Sequence, residues 1–268
     1  IPHGAVGGVL SHWVMAGGVS AETLPEVRKT ARELMARVDV NMNPADEVSE
    51  ASLLLIHPNG QQKRWRIKQY YQRAPENNMG AVLLRFLDPA DLRGTTLVSV
   101  NQPEGDNFQW LFLPAFKNPQ IIAEGSKNDY VFGSDLTFED YVPYVVDDYQ
   151  YEWVREERLD DRATVVVRLV PVAPRLVERI AYAHQMVWVD PDRSVLLRSD
   201  YYDPLGRLVK TVTWSDFYQP NRKHWRARRR TVFSPLRPHW TEMNIEEIKI
   251  NQGLPSDFFS EKNLSAIR

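Results

Sequence analysis

LLRFLDPADLRGTTLVSV (83–100), FQWLFLPAF (108–116), NPQIIAEG (118–125) and YVFGSDLTFEDY (130–141) follow one another through the middle of the chain. The early runs are short and apolar, and Asp-Pro, Arg-Gly and Asn-Pro pairs separate them, which is the pattern of strands punctuated by turns. The last run closes on a Gly-Ser-Asp turn that leads into a short helical signal.

Outward from this centre the same grammar continues. Apolar runs recur at 51–57, 65–71, 149–155, 164–170, 180–189, 195–202, 208–217, 226–233 and 243–250, and Pro58-Asn59-Gly60 is a hairpin-turn signal. The gaps between runs are too short for parallel crossovers, so the spacing predicts an antiparallel meander. About a dozen strands in one sheet curl strongly or close on themselves. One long helical pattern stands apart, LPEVRKTARELMARV (24–38), with Val27, Ala31, Leu34, Met35 and Val38 at helical spacing. Residues 256–264 predict a last short helix, capped by Ser256 or Asp257. The expected fold class is mainly β with a few helices (α+β), a strongly curved antiparallel sheet forming an incomplete barrel with a helical lid over a hydrophobic cavity. Residues 22–268 are expected to form a single domain.

Composition narrows the function classes. Of 268 residues 43% are hydrophobic and 25% charged, and the formal net charge is −2, which argues against a general polyanion binder. No apolar run approaches the roughly 20 residues of a membrane-spanning helix. There is no cysteine, hence no disulfide, thiolate nucleophile or lipidation site for a bacterial lipoprotein. Six histidines, at positions 3, 12, 57, 184, 224 and 239, show no metal-ligand spacing, and neither a Gly-x-Ser-x-Gly elbow nor a phosphate-binding loop is present. No catalysis, metal or cofactor is expected.

The aromatic load is the first functional clue: 8 Trp, 11 Tyr and 10 Phe, many of them on strands. These rings either fill a core or leave one sheet face open as a ligand cavity. On the second reading the expected lining is Leu84, Phe86, Val98, Val100, Trp110, Phe112, Phe138, Tyr141, Met186, Trp188 and Trp214. The run around Gly133, Ser134, Asp135, Thr137 and Asp140 is expected to cap a helix that carries Phe138 and Tyr141 over the mouth. NRKHWRARRR (221–230) is the densest basic stretch; on a strand, Arg226, Arg228 and Arg230 share one face. That face is either a solvated exterior or a docking surface for lipid headgroups or an acidic partner.

The central motifs resemble the periplasmic lipoprotein-sorting carriers of Gram-negative bacteria, in the branch of outer membrane lipoprotein-sorting proteins. The matching elements are Arg85 to Pro89, the Arg93-Gly94 pair, Trp110-Leu-Phe-Leu-Pro114 and, most specifically, Phe132 to Asp140. The resemblance implies an open barrel that carries lipid or lipoprotein acyl chains between the inner and outer membranes, in the periplasm, with an inner-membrane RND-type exporter as partner. It also admits a regulatory or structural subunit of the same fold that senses lipid or docks an envelope protein. No nucleic acid is expected as partner, and membrane contact is expected to be peripheral. In such carriers an arginine near Arg85 holds the lid; here the spacing from Gly80 departs by one residue, and a surface arginine is expected instead. With no cysteine, a diffusing carrier is expected rather than an anchored acceptor.

Residues 1–21 carry an apolar stretch with Val19-Ser20-Ala21 resembling a signal-peptidase site. They are expected to be a signal-peptide remnant or added leader, or else mature sequence. Leu10, Trp13 and Met15 are expected either to enter the barrel mouth in place of cargo or to lie outside it.

Overall fold

In a computed structural model of the protein, residues 23–74, 79–102, 107–116, 118–177, 179–255 and 257–260 are described. The expected leader at 1–21, and most of the expected last helix, lie outside them; Asp257 to Ser260 form a turn. Helix α1 (Thr23–Met42) is followed by β1 (Asp46–Ile56), β2 (Gln62–Ala74), β3 (Met79–Asp88), β4 (Thr96–Val100), β5 (Phe108–Phe112) and β6 (Gln120–Ile121). After a segment of short 3-10 turns come β7 (Tyr149–Leu159), β8 (Arg162–Pro171), the one-turn α2 (Pro174–Val177), β9 (His184–Asp190), β10 (Val195–Tyr202), β11 (Leu208–Tyr218), β12 (Arg226–Ser234) and β13 (His239–Ile250).

All thirteen strands form one antiparallel sheet in the order β6-β5-β4-β3-β2-β1-β13-β12-β11-β10-β9-β8-β7. Two uninterrupted meanders meet where β1 pairs with β13, and β6 and β7 remain as free edges, so the curved sheet does not close. The predicted hairpin is present: His57 N–H donates to Gln61 O at 2.9 Å, and Gly60 takes φ +81°, which its missing Cβ permits.

Side chains alternate across each strand; the concave face packs against α1 and the turn-rich segment, and the convex face is covered over β2–β5. On the concave face Leu53, Leu55, Trp65, Ile67, Leu84, Phe86 and Leu97 pack with Val212, Val232 and Met243 from the far meander. Val131, Leu136 and Tyr141, from the turn-rich segment after β6, plug this cluster. The other half of the concave face is covered by α1, whose Ala31, Leu34, Met35 and Val38 meet Val165, Val167, Val187 and Val189. Those helical positions recur three and four apart, and the stripe faces the sheet. Pro44, two residues beyond, cannot extend the helix.

A third cluster lies on the convex face. Ala81, Leu83 and Val98, with Val100, Trp110 and Phe112, pack under Leu254, Phe258 and Phe259 of the chain's return after β13. Asp46 anchors that return: its carboxylate accepts the Gln252 and Gly253 N–H groups at 2.6 and 2.8 Å, and its backbone oxygen accepts Asn251 N–H at 2.8 Å. Gln252 and Gly253 are themselves exposed, so Asp46→Ala removes two charge-assisted bonds from amides that water can reach, at a cost of about 1 kcal/mol. Faster hydrogen exchange at the amides of Gln252 and Gly253, with the α1 amides unaffected, is the expected result.

Candidate functional site

The segment between β6 and β7 is held down at many points. Glu139 N–H donates to Lys127 O at 2.8 Å. Lys127 Nζ donates to Asn107 O and Oδ1 at 3.0 and 2.9 Å and also meets Glu124. Gln109 Nε2 bridges Ser99 Oγ and Phe138 O, both at 2.7 Å. Gly80 permits the closest approach, since a Cβ there would stand 3.0 Å from Pro143 Cβ. Fully buried Asp135 accepts from Thr241 Oγ1 at 2.8 Å and pairs with His239 Nδ1 at 2.5 Å. The expected cap is therefore placed differently: Asp135 bonds to β13, and Thr137 and Asp140 cap the 3-10 turn Phe138–Tyr141. Thr137 N–H donates to Asp140 Oδ2 at 2.8 Å. Of the rest of that run, Gly133 takes φ +85° and Ser134 Oγ is bonded to Leu136 within the turn.

Between this segment, α1 and the concave side of β8–β12 lies a cavity of about 300 Å³. One wall is apolar, formed by Met35, Val38 and Met42 of α1 with Leu169, Val187, Leu196 and Trp214 of the sheet. The opposite wall is Val142, Pro143 and Tyr144, and Tyr149, Tyr182 and Tyr201 line the space between. A second, more polar hollow of about 180 Å³ adjoins it, lined by Glu47, Gln69, Tyr71 and Tyr141. Met42, Asn43, Asp140, Val142, Tyr144 and Arg230 belong to both.

Charges in the cavity wall are organised in pairs. Arg179 donates two parallel bonds to Glu139 at 2.8 and 2.9 Å. Lys210 Nζ meets Asp140 Oδ1 at 2.5 Å and lies over the rings of Tyr201 and Tyr182, 4.3 and 4.7 Å from their centroids. Arg73 pairs with Asp39, and Arg226 with Glu47 at 2.7 Å. Burial raises the Glu139 carboxyl against the pull of Arg179. Burial also acts upward on Asp140, but the charge and hydrogen bond of Lys210, the Thr137 amide and the Arg230 charge together hold it below the ordinary carboxylate range. Burial pushes the Tyr201 phenol up to about 12, so it stays protonated at neutral pH.

Of the expected cavity lining, Trp214 lines the larger space and Tyr141 the smaller. Leu84 and Phe86 lie in the close-packed concave cluster, with Phe138 at its margin. Val98, Val100, Trp110 and Phe112 are on the convex face instead, because β3 pairs with β4 in the register Leu83↔Val98 and Ala81↔Val100. Trp110 faces the same way through its pairing with Val98. Met186 and Trp188 also point outward: Met186 stands between Arg168 and Asp200, and Trp188 bonds to Glu157 under Arg198. Their neighbours Gln185 and Val187 line the cavity.

The three arginines of β12 share a face as expected, but that face is the concave one. Arg226 is buried against Glu47 and Asn41 O, and Arg230 lines the cavity, so neither can dock a partner from outside. Only Arg228 is exposed, over the Tyr218 ring at 4.3 Å. Arg85 faces outward between the inward Leu84 and Phe86, near Gly94, with no bond to the lid segment among the described residues. The residues that sequence reading missed are Lys210, Arg179, Tyr144, Tyr182 and Tyr201. Alternation from Trp214 back through Val212 to Lys210 was the one signal that could have placed any of them.

A family model described as "-like: Uncharacterized protein" matches residues 80–266. No curated protein matches the chain. Among solved structures, an outer membrane lipoprotein-sorting protein domain from Vibrio parahaemolyticus is 24% identical with a TM-score of 0.80, covering 92% of this chain and 100% of that one. A DUF1329 family protein from Desulfovibrio piger is 26% identical, with a TM-score of 0.80 over 89% of this chain and 99% of that one. A LolA superfamily protein from Nitrosomonas europaea is 18% identical, with a TM-score of 0.69 over 86% and 97%.

Proposed function

We propose, for a chain that belongs to the family whose model spans residues 80–266 and that has the fold of the outer membrane lipoprotein-sorting proteins, the role of a periplasmic carrier of lipid or lipoprotein acyl chains. Residues 22–268 act as one carrier domain. It receives cargo at the inner membrane, with an RND-type exporter as donor, and releases it toward the outer membrane.

The cavity beneath α1 is the observation that carries this reading. Its volume of about 300 Å³ is at the small end of ligand pockets. Asn43, Asn101, Asn107 and Gln185 also line it beside the paired charges, so the acyl chain is expected along the apolar wall of α1, Val187 and Leu196. Each methylene taken from water contributes about 0.8 kcal/mol, so one chain binds reversibly, as a carrier requires. Longer or multiple chains need α1 to move away from β7 and β10. Among the described residues no helix is long and apolar enough to cross a membrane.

Leu196→Trp tests the site. Leu196 is half-buried on the cavity wall, so an indole there fills existing space rather than overpacking a core, which would cost about 1–3 kcal/mol. The expected result is loss of fatty-acid binding by calorimetry with an unfolding free energy within about 1 kcal/mol of the parent. Undiminished binding in this variant would show that acyl chains do not use the cavity. Native mass spectrometry of protein purified from a Gram-negative envelope is expected to reveal lipid adducts in the parent that are absent from Leu196→Trp.

A further inference from the structure

We infer that the cavity selects an amphiphile with an anionic head, a carboxylate or a phosphate monoester, which the Arg230 guanidinium receives; this rests on the lipid-binding reading above. The charges of the two adjoining spaces lead to it. The carboxylates lining them are Asp39, Glu47, Glu139, Asp140 and Asp148. Asp39 pairs with Arg73, Glu47 with Arg226, Glu139 with Arg179 and Asp140 with Lys210. Asp148 is also engaged.

Arg230 is the cation left over. It forms no ion pair among the described residues, and its Nε–H is enclosed without an acceptor. Buried side-chain donors nearly always have a partner, so an enclosed guanidinium N–H without one marks a place where an acceptor belongs. Asp140 is the acid whose titration Arg230 influences, but its Oδ1 already accepts from Lys210 and its Oδ2 from Thr137. On β11 the residue opposite Arg230 is Trp214, whose ring centroid lies 5.8 Å from the guanidinium. A ring face offers no carboxylate-like acceptor.

Position supplies the rest of the ligand. Arg230 stands where the apolar space and the polar hollow join, and Met42 and Val142 flank the same junction. A head bound there sends its chain along Val38, Val187 and Leu196 under the helix. The volume suits a single chain, which points to a fatty-acid-like or lysophosphatidate-like molecule. A fork of N–H donors matches both carboxylate and phosphate, and the two are separated by experiment.

Calorimetric titration of the full chain with decanoate, decyl phosphate and decanol, each below its micellar concentration, tests the inference. A charge-assisted bond predicts that one or both anions bind about tenfold or more tighter than decanol. In Arg230→Met that ratio is expected to fall to about one, and in Arg230→Lys to an intermediate value, because the ammonium keeps the charge but loses the fork, with circular dichroism checking that each variant is folded. Preference for decanoate alone assigns a carboxylate head, and for decyl phosphate alone a phosphate head. Equal binding of all three by the parent, or a ratio unchanged in Arg230→Met, overturns the inference while leaving acyl binding intact. Binding of inorganic phosphate or acetate as tight as that of the decyl compounds also overturns it, showing a plain anion site. Failure of all three decyl compounds to bind overturns the lipid-binding reading itself.

Discussion

Asp140→Ala is expected to lower the unfolding free energy by about 3–5 kcal/mol, because it leaves Lys210 charged and buried without its carboxylate. Both partners are nearly inaccessible, with side chains 9% and 3% exposed. The Thr137 cap is lost as well, since the same carboxylate accepts its N–H at 2.8 Å. The comparison that isolates the charge is Asp140→Leu combined with Lys210→Met, which removes both ions. That double variant is expected to be more stable than Asp140→Ala, because neither desolvated charge remains. Urea unfolding measures both, and a single-variant loss below about 1 kcal/mol would mean that Lys210 finds other solvation.

The pH dependence follows from the same group. Asp140 titrates below its unfolded value, so its stabilisation is complete above about pH 4 and is lost as pH falls through the depressed folded value. Glu139 acts in the opposite sense: its raised carboxyl favours folding below about pH 4.3, a contribution lost as pH rises through the folded value. The difference in stability between parent and Asp140→Ala is therefore expected to be flat near neutrality and to shrink on acidification.

Strand existence was legible because turn chemistry punctuates the chain, from Pro58-Asn59-Gly60 to the Asp-Asp pair at 160–161. The antiparallel meander followed from short gaps, whereas its division into two arms joined through β1 and β13 did not, and two-residue β6 carried no readable pattern. Which face a residue occupies was much less legible. Along 81–87 every side chain but Arg85 is apolar, and 95–100 carries only small hydroxyl groups beside Leu97, Val98 and Val100, because the turn-rich segment covers one face and Leu254, Phe258 and Phe259 cover the other. With both faces dry, the apolar-polar alternation that reveals orientation disappears. Leu84 and Val98 therefore read alike while pointing to opposite sides of the sheet. On β12 the period was right and the side was wrong, since arginines normally face water, whereas Arg226 is met by Glu47 and Arg230 by the cavity. Alternation could have placed Lys210, but the pairings of Lys210 and Arg179 were out of reach because their partners, Asp140 and Glu139, lie 70 and 40 residues away.

Phe86→Ala is expected to cost about 3–5 kcal/mol, and it decides whether this part of the concave face is core or cavity. The ring is 1% exposed and packs edge-on against Trp65 and Phe132, with centroids 5.3 Å away in each case. Trp65 belongs to β2, but Phe132 belongs to the turn-rich segment and holds φ +47°, a conformation unfavourable for a bulky side chain and retained only if its surroundings impose it. Removing Phe86 withdraws one of those surroundings, so the loss includes both a void and a loosened segment. Amides of Val131 and Ser134 are expected to exchange faster in the variant, while those of α1, packed on the other half of the sheet, keep their protection. Acyl binding beneath α1 is expected to persist in whatever fraction remains folded, because Phe86 does not line that cavity. A loss below about 1.5 kcal/mol, outside the range for truncating a packed ring, together with abolished acyl binding, would place the cargo against Phe86 and refute the site under the helix.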